Sequence, residues 1–116
     1  MGLDQYSNSR DSNGENFEIC DWRKHNALQG WMEKLWAVKT GKPESELNGE
    51  DLELNAEDLK VLRSVVEDGN LPETQGFFYG ADSSKDDWRK EKDLDFIKAA
   101  SEAIDGGQKV FYSCWW

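Results

Sequence analysis

A chain of 116 residues with 37% hydrophobic and 33% charged side chains is the length of one domain and must build its core from little material. Six Trp, five Phe and three Tyr supply that core in large pieces, which excludes the aromatic-poor composition of a disordered chain. The net charge of -10 excludes general nucleic-acid binding, which needs a basic face. It leaves two uses for the acidity: solubility, or imitation of a polyanion in the basic site of a host protein.

Residues 2–6 set Leu3 against Asp4 and Tyr6 and read as a short edge strand. Residues 7–16, Ser-Asn-Ser-Arg-Asp-Ser-Asn-Gly-Glu-Asn, hold no apolar side chain and read as a flexible loop. Phe17 and Ile19 flank Glu18 in a brief extended lead-in. Asp21 then stands where an N-cap belongs, and the periodicity predicts a helix over 22–40, ended by Gly41 and Pro43. At about 100° per residue, Leu28, Trp31, Met32, Leu35, Trp36 and Val38 share one apolar arc. Trp22, Asn26, Gln29 and Glu33 form the neighbouring stripe, and Ala27 lies on the far side.

Residues 41–50 read as a loop, with turn signals at Pro43 and Asn48-Gly49. Leu52 and Leu54 alternate with acids in a very short strand. Asn55 caps a second helix, with Glu57 and Asp58 in its first turn, an inner face of Leu59, Leu62, Val65 and Val66, and Gly69 at its end. After a connection over 71–76, Phe77-Phe78-Tyr79 reads as a buried strand. A third helix follows residues 83–87, with Trp88, Phe96, Ile97, Ala100 and Ile104 inside and Gly106-Gly107 as its stop. Residues 109–116 form a terminal strand with Val110, Tyr112 and Cys114 on one face and Phe111, Ser113 and Trp115 on the other. The sum is an α+β single domain: a small mixed or antiparallel sheet packed on about three helices, with a parallel crossover from 77–79 to the terminal strand as one topology. Asp-Trp-Arg-Lys recurs at 21–24 and 87–90, but the flanks share nothing further and no repeat follows.

The motifs of common enzymes are missing: no GxSxG, P-loop, GxGxxG or HExxH occurs. Cys20, Cys114 and the single His25 lack the spacing of a zinc site, and nothing points to a cofactor. The two cysteines can pair or remain thiols; without a secretory signal, reduced thiols in a cytoplasm are expected. No apolar run is long enough to span a membrane.

One cluster has the chemistry of a ligand site. Arg23 and Lys24 carry donors for phosphate or carboxylate, and the first turn of the predicted helix would set them beside anion-favouring backbone N–H groups. Trp22, Asn26 and Gln29, one turn apart, offer a stacking face with amides able to read a base or ribose edge. Thr74 and Ser113 would add polar contacts, Tyr112 and Trp115 an aromatic wall, and Asp4 would converge with Arg23 and Asn26 on the cavity. The alternative is structural, with Arg and Lys paired to nearby acids and Trp22 and Asn26 in the core. The end Tyr112-Ser113-Cys114-Trp115-Trp116 fits a core strand, a subunit contact or a pocket wall.

Four segments in order, Met1-Gly2-Leu3-Asp4-x-Tyr6, Glu18-Ile19-x-x-Trp22-Arg23-Lys24-x-Asn26-x-Leu28-x-x-Trp31-Met32, Leu71-Pro72-x-Thr74-x-Gly76-Phe77-Phe78-Tyr79-Gly80 and an aromatic-Ser-x-Trp end, are similar to a family of small uncharacterised proteins encoded by bacteriophages and prophages. The chain departs from that pattern at Asp21, Gln29 and Met32, where the family has tyrosine, histidine and phenylalanine. The resemblance implies a phage protein acting in the host cytoplasm. By analogy with small phage proteins that counter host defence, the leading expectation is a sponge that sequesters a small anionic nucleotide-like signal, with homo-oligomer formation at the aromatic C-terminus. The alternatives are an acidic inhibitor that binds a host protein, a hydrolase of a nucleotide signal, and a virion accessory protein.

Overall fold

The structure, a computed structural model, describes residues 3–69, 71 and 87–116, with the backbone alone for 87–89. The predicted strand at 77–79, the crossover built on it, Thr74 and the Trp88 side chain lie outside the described residues. The elements in chain order are β1 (Asp4–Arg10), β2 (Asn16–Arg23), α1 (Asn26–Thr40), a 3-10 turn (Glu44–Leu47), β3 (Asp51–Leu54), α2 (Ala56–Glu67), α3 (Asp87–Asp105) and β4 (Lys109–Trp115). The four strands form one antiparallel sheet in the order β2-β1-β4-β3, which makes the protein an α+β fold.

Two expectations fail at the N-terminal end. The segment expected to be a loop at 7–16 is mostly sheet: β1 runs to Arg10 and turns at 11–15 into β2. The turn is made by Asp11, whose carboxylate accepts from the backbone N–H groups of Asn13 and Glu15 at 2.9 and 3.0 Å. Ser7 and Ser9 are buried small hydroxyls of the inner sheet face, so an alternation written in Gln and Ser carries no apolar signal. Nor is β1 an edge strand: it pairs with β2 on one side and β4 on the other.

A further correction concerns the first helix. Residues 22 and 23 still belong to β2, and α1 begins only at Asn26, so Asp21 caps nothing. Lys24 adopts a left-handed φ of 57°, which ends the strand, and its backbone N–H donates to Leu3 O at 2.8 Å. The buried arc of α1 is also rotated. It takes in Asn26, Ala27, Leu28, Gln29, Met32, Glu33 and Trp36, while Val38, expected inside, is 83% exposed. The helix turns its amide stripe inward because a layer of polar partners waits there.

The rest follows the sequence closely. Asn55 and Asp58 form a reciprocal capping box on α2, with bonds of 2.8 and 2.9 Å between each side chain and the other's backbone N–H. Lys39 ties three elements together, donating to Glu53 O and to the Asp58 carboxylate. Leu59, Leu62 and Val66 of α2 and Phe96, Ile97 and Ala100 of α3 pack against Leu52, Leu54, Val110 and Tyr112 of the sheet. All the described helices lie on this one face. Removing the cap by Asn55→Ala is expected to cost about 1 kcal/mol, read as a lower urea midpoint at unchanged slope. An unchanged midpoint would mean that the box contributes nothing.

Candidate functional site

Strand alternation divides the predicted site in two. Trp22, Asn26, Gln29 and Tyr112 are buried on the helix-covered side, while Asp4, Arg23, Ser113 and Trp115 stand on the opposite face of the sheet. Lys24 sits exposed in the link between β2 and α1. Arg23 is therefore not in a helical first turn, and no helix N-terminus adds its N–H groups to it. Its side chain is 78% exposed and pairs with Asp4 at 3.7 Å.

The inner group is a connected polar layer. Gln5 grips the backbone of His25 with both ends of its amide: Nε2 donates to His25 O at 3.0 Å, and Oε1 accepts from His25 N–H at 2.9 Å. The same Nε2 donates to the Tyr112 hydroxyl at 2.9 Å. The Tyr112 hydroxyl in turn donates to Gln29 Oε1, and Gln29 Nε2 donates to Cys114 Sγ at 3.3 Å. A second branch begins at Asp93 of α3, whose carboxylate accepts from Trp22 Nε1 at 2.9 Å and faces His25 Nε2 at 2.7 Å. Trp22 also meets Phe96 edge-to-face at 4.9 Å, a pairing worth about 0.5–1.5 kcal/mol beyond its area.

Four members of this layer, Gln5, His25, Asp93 and Cys114, were not among the predicted site residues, and each had a sequence signal, that of Cys114 being its place on the Val110–Tyr112 face of the last strand. Gln5 lies two residues from Leu3 on the same strand face. Asp93 precedes Phe96, Ile97 and Ala100 by three, four and seven residues, the spacing of one helical stripe. His25 sits beside the predicted apolar arc.

A histidine and a carboxylate in contact resemble part of a catalytic apparatus, but His25 and Asp93 are each only 1% exposed. The thiols offer no nucleophile to complete one. Burial pushes Cys20 up to about 11, with Asp21 and Asp93 adding to it and Lys92 opposing. Burial likewise pushes Cys114 up to about 12, against the hydrogen bond from Gln29. Among the described residues no three His, Cys, Asp or Glu side chains converge as a metal site. Among the described residues, two clefts lie away from this layer. One, of about 280 Å³, is bounded by Trp36, Lys39, Thr40 and Leu52; the other, of about 410 Å³, lies between α2 and α3 beside Arg63, Leu94 and Lys98.

The outer face has a different character. Reading across paired strands, its rows run Arg23–Asp4–Trp115, then Asp21–Tyr6–Ser113–Asp51, then Glu18–Asn8–Phe111–Glu53, then Asn16–Arg10–Lys109. No described helix covers it. Trp115 is 65% and Tyr6 41% exposed. Arg10 lies diagonally across the face, its guanidinium 4.4 Å from the Phe111 ring centre and 3.7 Å from Asp51.

No protein-family model, curated protein or solved structure matches this chain.

Two measurements check the inner layer. Asp93→Ala removes the acceptor shared by Trp22 and His25 and is expected to cost about 3–5 kcal/mol in urea unfolding, with Asp93→Asn losing less. A loss below about 1 kcal/mol would show that Asp93 does not brace the fold. A thiol raised from 9.0 to about 11 has roughly 100-fold less thiolate at pH 7. Iodoacetamide should therefore label native Cys20 slowly, about tenfold faster per pH unit up to pH 10, and Cys114 more slowly still. Labelling at the rate of the denatured chain would contradict the burial.

Proposed function

We propose that this chain is a phage-encoded binding protein that acts in the host cytoplasm by occupying a basic surface on a host protein, with the face of its sheet that no described helix covers as the contact surface. The single observation that carries this reading is the make-up of that face. Two of its cations, Arg10 and Arg23, are already paired to Asp51 and Asp4, while Glu18, Asp21 and Glu53 stand around exposed aromatic rings. Exposed aromatic area ringed by acids that no ion pair among the described residues neutralises suits a partner that brings positive charge and apolar surface together. The overall charge of -10 would steer such a partner toward the chain from a distance. The phage origin rests on the resemblance of the four sequence segments.

The signal-sponge reading keeps one row of the same face. Trp115 would stack a base, Arg23 would leave Asp4 for a phosphate, and Ser113 would add a hydroxyl. Its support is the nearness of Arg23, Asp4 and Trp115 on paired strand positions. The inner half of the expected ligand set, Trp22, Asn26, Gln29 and Tyr112, is engaged in packing instead, and an arriving anion would meet Glu18 and Asp21. Protein binding is therefore the better-supported of the two.

Charge reversals separate them. With an immobilised chain and host lysate, the bound host protein should be released by raising salt from 0.1 to about 0.5 M. Glu18→Lys with Asp21→Lys should abolish capture, whereas Glu91→Lys with Glu102→Lys on the exposed side of α3 changes the net charge equally and should leave it. Equal losses in both pairs would reject a face-specific contact. A thermal shift with cyclic dinucleotides that disappears in Arg23→Ala would favour the sponge.

A further inference from the structure

We infer that the groups this face selects are arginine side chains, taken two at a time from an extended segment of the partner and stacked on Tyr6 and Trp115. The inference rests on the protein-binding reading above and names what that surface recognises.

The face already contains one filled arginine site. Arg10 lays its guanidinium over Phe111 at 4.4 Å, reaches Asp51 at 3.7 Å, and donates from Nε to Asn16 Oδ1 at 3.0 Å. An aromatic ring below, a carboxylate at one edge and a neutral oxygen at the other satisfy a planar cation whose five donors lie in its plane. The elements of that arrangement recur at Tyr6, where no cation among the described residues fills them. Its ring is exposed, Asp21 stands directly across on β2, and the Ser113 hydroxyl stands directly across on β4. Trp115 repeats the ring and carboxylate: Asp4 is its partner across β1, held at 3.7 Å by the exposed Arg23, which an incoming guanidinium would have to displace, and the indole lies against the Gly49 backbone, which backs one side of the ring. A Cβ at Gly49 would come within 3.2 Å of that indole and push it back by a few tenths of an ångström.

The spacing decides the form of the occupant. Tyr6 pairs with Ser113, and Trp115 is two residues further along β4, so the two rings are diagonal neighbours about 7–8 Å apart at the backbone. Same-side side chains in an extended strand repeat at about 7 Å. An Arg-x-Arg segment in extended form therefore matches the two rings. Lysine fits poorly: its ammonium is strongly hydrated, compact and unable to stack. A nucleic acid is the wrong sign for this face, and a second copy of the chain would set Asp21 and Glu18 against like charges.

The test titrates the full-length chain with a capped octapeptide of alternating arginine and serine, and with its lysine counterpart, at fixed ionic strength. Calorimetry and backbone amide NMR shifts report affinity and place. The arginine peptide should bind at least about fivefold tighter, with shifts confined to β1, β2 and β4. In the double variant Tyr6→Ala, Trp115→Ala, which keeps every charge, the two peptides should bind alike. If that variant fails to fold, Tyr6→Leu and Trp115→Leu, made singly, keep apolar bulk without the ring face. Equal affinity for both peptides in the native chain, or a preference that survives the loss of both rings, overturns the inference. If the peptides show no preference while Glu18→Lys with Asp21→Lys still abolishes capture of a host protein, arginine selection falls and the protein-binding reading stands. If those reversals also have no effect, both fall.

Discussion

The bidentate grip of Gln5 on His25 is the constraint on which the rest of this structure depends. A buried amide must be satisfied or it costs on the order of 1–3 kcal/mol for each orphaned group. Here both ends are satisfied by the backbone of a residue 20 positions later. That fixes where β2 stops and α1 starts, sets the rotation of α1, and carries Gln29 to the Tyr112 hydroxyl. Tyr112 then joins the helix to β4, while His25 and Trp22 reach Asp93 on α3. One layer of hydrogen bonds thus registers a strand, a link, two helices and the last strand. The apolar core packs around it.

This also explains what could be read from the sequence and what could not. Elements that declare themselves through apolar periodicity and local capping were legible: α2 with its Asn55–Asp58 box, the alternation of Val110, Tyr112 and Cys114, the inner stripe Phe96, Ile97 and Ala100, and the short strand at Leu52 and Leu54. The α+β class followed from them. The N-terminal hairpin was not legible, because its inner face is written in Gln5, Ser7 and Ser9, whose burial depends on partners more than 100 residues away. The start of α1 failed for a related reason. Asp21-Trp22-Arg23-Lys24 has good local helix signals, and tertiary pairing with β1 overrides them.

The candidate site shows the same division. The sequence grouped Trp22, Arg23, Asn26 and Gln29 by helical spacing. In a strand, Trp22 and Arg23 point to opposite faces, so the cluster separates into a structural half and a surface half. The residue types were informative, and the period was wrong. Amides and a tryptophan close together mark the centre of the fold, whereas Asp4, Arg23, Ser113 and Trp115 belong with Tyr6 and Arg10 on the open face. A polar cluster in a chain this acidic is thus as much a device for specifying one packing arrangement as a place for a ligand.

The hydrogen bond between Gln5 and Tyr112 spans 107 residues of chain, and it has a kinetic meaning. β1 cannot receive its second neighbour until β4 has left the ribosome, so one side of this central strand stays unpaired while the roughly 100 residues between them are made. Contacts of such long sequence separation slow folding and leave strand edges open to other chains meanwhile. Serines on the inner face, in place of valines or isoleucines, keep that waiting strand too polar to aggregate. The polarity that hid β1 from sequence reading is also what protects the nascent chain until its partner arrives.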